Sequence, residues 1–160
     1  CLMAVGDEIY IGDARGLIYL LSAPYTCPRV VCEASGPVSA MAFSKCLYYG
    51  TWDGAVFSAA LSARLGKNMV KCLAAFNDRI LASVDSKLFV LDPALRVVEE
   101  YRTETKIHCM DVRGESVYFG MASGLAASYT GTYTPAVKSG HEATILCMRQ
   151  GVSGCTHGHL

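Results

Sequence analysis

Leu47-Tyr-Tyr-Gly-Thr-Trp-Asp-Gly-Ala-Val-Phe57 decides how this chain is built. Apolar residues lead into Gly50, a polar turn follows at Thr51 to Gly54, and a second apolar run begins at Ala55. That is the pattern of two strands joined by a tight hairpin. The phrase returns as Ile9-Tyr-Ile-Gly-Asp-Ala-Arg-Gly-Leu-Ile-Tyr-Leu-Leu21, as Ile80-Leu-Ala-Ser-Val-Asp-Ser-Lys-Leu-Phe-Val-Leu91 and as Val117-Tyr-Phe-Gly-Met-Ala-Ser-Gly-Leu-Ala-Ala127. A fifth copy, Val152-Ser-Gly-Cys-Thr-His-Gly-His-Leu160, ends with the sequence. Aligning Gly12, Gly50, Ala82, Gly120 and Gly154 gives a period of about 36 residues, the mark of a repeat architecture.

An apolar strand stands ahead of each copy: 1–5, 38–43, 70–76, 107–112 and 145–149. Its recurrent Cys-Leu or Cys-Met pair suits the crowded axis of a propeller, where small or flexible side chains fit the taper. More polar stretches at 29–33, 95–101 and 134–139 read as outer fourth strands, and the one after Leu61 is very short. The expected fold is therefore an all-β propeller of about four to four and a half four-stranded blades. Their bounds fall near 1–37, 38–69, 70–106 and 107–143, with a partial blade over 144–160. Four blades and a part do not make the usual closed ring. The chain, which begins inside an inner strand without an initiating Met, reads as part of a larger, seven-bladed propeller. Two alternatives stand beside it: pairing of the last copy with the first, and a homodimer closing one ring in trans.

Composition excludes several classes. With 52% apolar and 18% charged residues the chain can bury a core. Fourteen basic residues balance fourteen acidic ones, so no global field attracts nucleic acid or anionic lipid. No apolar run approaches the length of a membrane helix, and no leader pattern opens the sequence. A soluble chain, without a nucleic-acid or membrane partner, is expected. Of eight cysteines, Cys1, Cys72, Cys109 and Cys147 occupy the inner strands of four different blades, away from one another, and read as free buried thiols. Cys27 and Cys32 could meet across a small loop, although Pro28 and the intervening strand residues stand against it. Reduced thiols fit a cytoplasmic or nuclear location. Cys155, His157 and His159 alternate like zinc ligands but lack a second pair at zinc spacing, so no metal and no cofactor is expected.

In the hairpin turns, Asp53-Gly54 fits best as a turn-forming pair, with Asp85-Ser86 and Ser123-Gly124 weaker. Trp52, the only tryptophan, lies at a turn and reads either as an interface anchor or as packing against the next blade. No Ser/His/Asp arrangement or phosphate-cradling loop is present, and the paired carboxylates Glu99-Glu100 stand on a polar outer strand, so an enzyme is not expected. His108, the one inner-strand histidine near a loop, reads as structural rather than catalytic.

These repeats resemble the WD40 family over essentially the whole chain. Gly140-His141 before Ile145-Leu-Cys-Met148 is similar to the Gly-His that opens a WD40 blade, Thr51-Trp-Asp-Gly54 to a blade turn, and Leu91-Asp92 to the closing Trp-Asp. The other closing pairs are Leu21-Ser22, Leu61-Ser62 and Tyr129-Thr130, so the family's buried His-Ser-Asp-Trp network is expected to be missing from most blades. The resemblance implies a divergent member. It further implies a non-catalytic scaffold that presents top-face turns to a protein or peptide within a larger complex. Gly50 to Asp53 and the blade around 106–128 also look like the mitotic-checkpoint and mRNA-export propellers, which hold an acidic peptide on that face. Leu47 to Gly54 and Val117 to Gly120 look like quinoprotein-type propellers with a redox or assembly role. Because the turns after each second strand and before each inner strand emerge at one end, Arg15, Trp52, Asp53, Lys71, Lys106 and His108 are the expected partner-binding residues.

Overall fold

In the computed structural model, residues 1–25, 27–138, 145–149 and 152–155 are described. They form strands without a helix, in successive antiparallel sheets. The first sheet holds β1 (Leu2–Val5), β2 (Glu8–Gly12), β3 (Leu17–Ser22) and β4 (Arg29–Glu33), in that spatial order. The second holds β5 (Val38–Phe43), β6 (Leu47–Thr51), β7 (Ala55–Ser58) and β8 (Leu61–Arg64). β9 (Val70–Phe76), β10 (Arg79–Val84), β11 (Lys87–Leu91) and β12 (Val97–Arg102) make the third. β13 (Ile107–Arg113), β14 (Ser116–Met121), β15 (Leu125–Tyr129) and β16 (Tyr133–Lys138) make the fourth, and β17 (Ile145–Arg149) pairs with β18 (Val152–Cys155). Each sheet is a meander, as expected where short turns join strands of alternating polarity.

The first strands of successive sheets lie side by side, β1 against β5, β5 against β9, β9 against β13 and β13 against β17. They form an inner wall, with the fourth strands outermost. Apolar side chains fill the space between consecutive sheets. Tyr10, Ile18, Leu20, Val38 and Tyr49 pack between the first and second. Tyr48, Val56, Val70, Ile80, Phe89 and Leu91 pack between the second and third. Leu81, Leu88, Val90, Ile107, Phe119 and Met121 pack between the third and fourth. Full burial of such a side chain contributes about 1.5–3 kcal/mol, so blade stacking carries most of the stability of sheets that could not stand alone.

Alignment of the repeats needs one correction. Gly12 bonds to Cys1, Ala40 pairs with Gly50, Cys72 with Ser83, Cys109 with Gly120 and Cys147 with Gly154. The third copy of the strand-closing residue is thus Ser83, not Ala82. Sequence similarity misplaced it by one because both are small. The position is small because the next blade presses on it: a Cβ built on Gly12 would lie 2.7 Å from Val38 Cγ1, and one on Gly50 2.6 Å from Val70 Cγ1. In the third blade Ser83 Oγ instead meets the Cys72 thiol at 2.9 Å.

The same ladders place Cys72 and Cys109 at equivalent positions of adjoining strands, which corrects the reading that inner-strand cysteines stand apart. Desolvation pushes the Cys72 thiol up to about 12, and nearby Cys109 adds to the effect. Cys27 and Cys32 are free thiols. No helix among the described residues is long and apolar enough to cross a membrane.

Candidate binding face

In four of the inner strands, β5, β9, β13 and β17, the register slips by one between the first and second residue pair. Val38 pairs with Thr51 and Ala40 with Gly50, which leaves Ser39 unpaired. Lys71 is left out in the same way in β9, His108 in β13 and Leu146 in β17. A β-bulge of this kind re-aims the extra side chain out of the normal alternation. It recurs at one level of the inner wall, at the end where the hairpin turns and the linkers between blades meet.

Backbone hydrogen bonds hold that end together. The N–H of Ala34 donates to Gly16 O at 2.8 Å, Trp52 to Pro37 O at 3.1 Å, Leu65 to Gly54 O at 2.9 Å, Thr103 to Ser86 O at 2.9 Å and Ala122 to Lys106 O at 2.9 Å. Each of the three linkers among the described residues, 34–37, 65–69 and 103–106, is therefore tied to a hairpin of its own or the next blade. Asn68 Nδ2 donates to Asp85 Oδ2 at 2.9 Å across one such junction. Ser39 Oγ donates to Gly50 O at 3.1 Å and Val70 O at 2.7 Å, linking the second blade to the third.

Two cavities open on this end. One, of about 430 Å³, is lined by Asn68, Met69, Lys71, Asp85, Lys106, Ile107 and His108. The other, of about 340 Å³, includes Asp13, Ser39, Trp52, Met69 and Lys71 in its wall. They share Met69 and Lys71, so the two adjoin in one trough across the inner ends of the first four blades.

Of the six residues expected at the face, Lys71, Lys106 and His108 converge on the first cavity, and Trp52 joins them through the second. Trp52 is 58% exposed, which bears on the two readings of its role: its ring stands at the rim rather than in a blade interface. Desolvation and then the positive charges of Lys71 and Lys106 hold His108 below the ordinary imidazole value. Neither lysine forms an ion pair among the described residues.

Arg15 and Asp53 line neither cavity. Arg15 Nε lies 3.0 Å from Asp13 Oδ2, and its Nη2 donates to Tyr19 Oη at 2.8 Å. Asp53 is taken up by the Thr51 hydroxyl and by Arg64, whose Nη2 lies 2.6 Å from Oδ2 and whose Nη1 donates to the Asp53 carbonyl at 2.6 Å. The Thr51 hydrogen bond, then Arg64, holds the Asp53 carboxyl below its usual range. Asp92 also serves a turn, accepting from the N–H groups of Ala94 and Arg96 at 2.9 Å. Sequence reasoning missed Asn68, Met69 and Asp85. The signal that marks the face is the bulge column Ser39, Lys71, His108, readable only once the inner strands are in register. Gly140-His141, His157 and His159 lie outside the described residues, as do the side chains of Cys147 and Cys155. Among the described residues no group of three or more His, Cys, Asp or Glu could hold a metal ion.

No protein-family model matches the sequence, and no curated protein does. Solved structures do match. The WD40 β-propeller domain of Doa1 superposes with a TM-score of 0.81 at 10% identity, covering 98% of this chain and 61% of that one. A chain of the mitotic checkpoint complex gives 0.72 at 12% identity, covering 86% and 49%. The computationally designed protein Ika8 gives 0.78 at 15% identity, covering 99% and 55%. This chain spans about half to three fifths of the length of these three. At such identities the likeness is one of fold, and the fold is that of a divergent WD40-like β-propeller.

Proposed function

We propose that this chain is a non-catalytic propeller module that binds an extended segment of a protein partner along the trough at the bulged end of its inner strands. The observation that carries the reading is the meeting of the two cavities at Met69 and Lys71 beside an exposed Trp52. A half-exposed indole at the rim of an apolar and cationic depression has the composition of an interface anchor: large contact area and little side-chain entropy to lose. Around it, the hydrogen-bonded linkers hold the backbone in place before a partner arrives, which lowers the ordering cost of binding. Arg15 and Asp53, occupied by local partners, shape the turns that frame the trough. Proteins of this fold occur in multi-subunit assemblies, the mitotic checkpoint complex among them, in keeping with a partner of protein nature.

Selection of a random-peptide library on the chain tests the proposal. Peptides recovered on the parent should lose capture with Trp52→Ala and with Lys71→Ala, and keep it with Val97→Ala on the outer strand β12. Peptides indifferent to both trough substitutions would place binding elsewhere and overturn it.

A further inference from the structure

Lys71 and His108 are the bulged residues of neighbouring inner strands, and Lys106 ends the linker that enters β13. All three line one cavity of about 430 Å³ together with the Asn68 amide and the Asp85 carboxylate. Arg15 in the first hairpin turn is compensated by Asp13 and Arg64 at the end of β8 by Asp53, whereas the two cavity lysines have no acidic partner among the described residues. Two ammonium groups and one carboxylate leave a single positive charge while His108 is neutral, and two when it is protonated. A dianion therefore matches the cavity with His108 protonated, whereas a monoanion matches it with His108 neutral.

We propose that this cavity is an anion subsite for a phosphate group carried on a side chain of the bound partner segment, and that His108 takes up a proton as the phosphate enters. A phosphate monoester carries nearly two negative charges at neutral pH and three strong acceptor oxygens, enough to engage both lysines and the imidazolium at once. The inference rests on the peptide-binding reading for the source of the phosphate, but not for the subsite itself.

The imidazole's surroundings fix the sign of the pH dependence. On the strands packed against β13, the titratable residues are Lys71 and Cys72 in β9, Tyr118 in β14, and Cys147 and Arg149 in β17, while Cys109, Asp111 and Arg113 follow along β13 itself. Lys106 and Asp85 come from the linker and the hairpin turn. Desolvation, and after it the charges of the two lysines, holds the His108 pKa below the ordinary imidazole value in the free protein. An arriving dianion offsets the lysines and raises its pKa, so binding tightens as pH falls from 8 toward 7, above the range in which the phosphate itself becomes a monoanion.

Titration of the His108 ring proton by NMR, with inorganic phosphate added at constant ionic strength and chloride as the reference, reads the subsite directly. Phosphate should move the midpoint up by about one unit. Lys71→Gln and Lys106→Gln should each raise the midpoint of the free protein and cancel the response to phosphate, while Arg102→Gln on β12 changes neither. O-phosphoserine should reproduce the shift and glutamate should not. No shift in the parent, or a shift that persists in both glutamine variants, overturns the subsite. Equal shifts with glutamate overturn its assignment to phosphate. If the phosphate response holds while library peptides ignore both Trp52 and Lys71, the partner reading falls and the subsite stands.

Discussion

Replacing Gly50 by alanine adds one methyl group where the second and third blades touch. The new Cβ would lie 2.6 Å from both Cβ and Cγ1 of Val70 and 3.2 Å from its Cγ2. Carbon atoms rest at roughly 3.5–4.0 Å, so the two blades must part by about 1 Å. Rotation of Val70 offers no relief, because its Cβ is itself one of the clashing atoms and its side chain is fully buried. Overpacking of this kind costs about 1–3 kcal/mol, equivalent to a fall in thermal midpoint of roughly 2–12 °C for a chain of this size. Gly36→Ala provides the control, since nothing lies within 4 Å of the added atom. Thermal unfolding followed by far-UV circular dichroism, run in parallel on both variants and the parent, gives the comparison. A Gly50→Ala midpoint within a degree of both would refute the argument that blade contact sets residue size at this position.

Ser39→Ala removes the hydroxyl that bonds Gly50 O and Val70 O, and a denaturant midpoint should report a loss of about 1 kcal/mol. Because its folded pKa is depressed, Asp53 adds stability above the unfolded value near 3.9, and that stability is lost as pH falls through the folded value. Asp53→Asn should therefore flatten the acid side of the stability profile between about pH 5 and pH 3, with a cost at neutral pH below about 1 kcal/mol for so exposed a pair. Cys72, its thiol pushed up to about 12, should resist alkylation at pH 8 while exposed Cys27 is modified rapidly. Mass mapping of the labelled peptides distinguishes the two.

The inner strands at 38–43, 70–76 and 145–149 and the outer strand at 29–33 fall where alternation and turn residues put them. So do Gly54, Asp85 and Gly124, with their left-handed backbone at the hairpins. These features are local: a strand needs period-two polarity, and a tight turn needs a residue that tolerates positive φ. Register is less local. Ala82 and Ser83 are both small, and only the pairing of Cys72 decides which of them faces the next blade.

The candidate face is further still from the sequence. Arg15 and Asp53 stand in turns at the right end, yet each has an oppositely charged neighbour close enough to occupy it, Asp13 two residues away and Arg64 across the hairpin. Lys71 and His108 look like ordinary members of two strands. What brings them into one cavity is a one-residue slip repeated in adjoining ladders, and such a slip leaves no mark on polarity or composition. The sequence by itself determined a repeated four-stranded unit, its turns and the apolar faces that must stack. Tertiary structure decided which charges among the described residues remain unpaired and where they meet, because bulge position and the approach of Lys71, Lys106 and His108 depend on the neighbouring strand rather than on the residues that precede and follow.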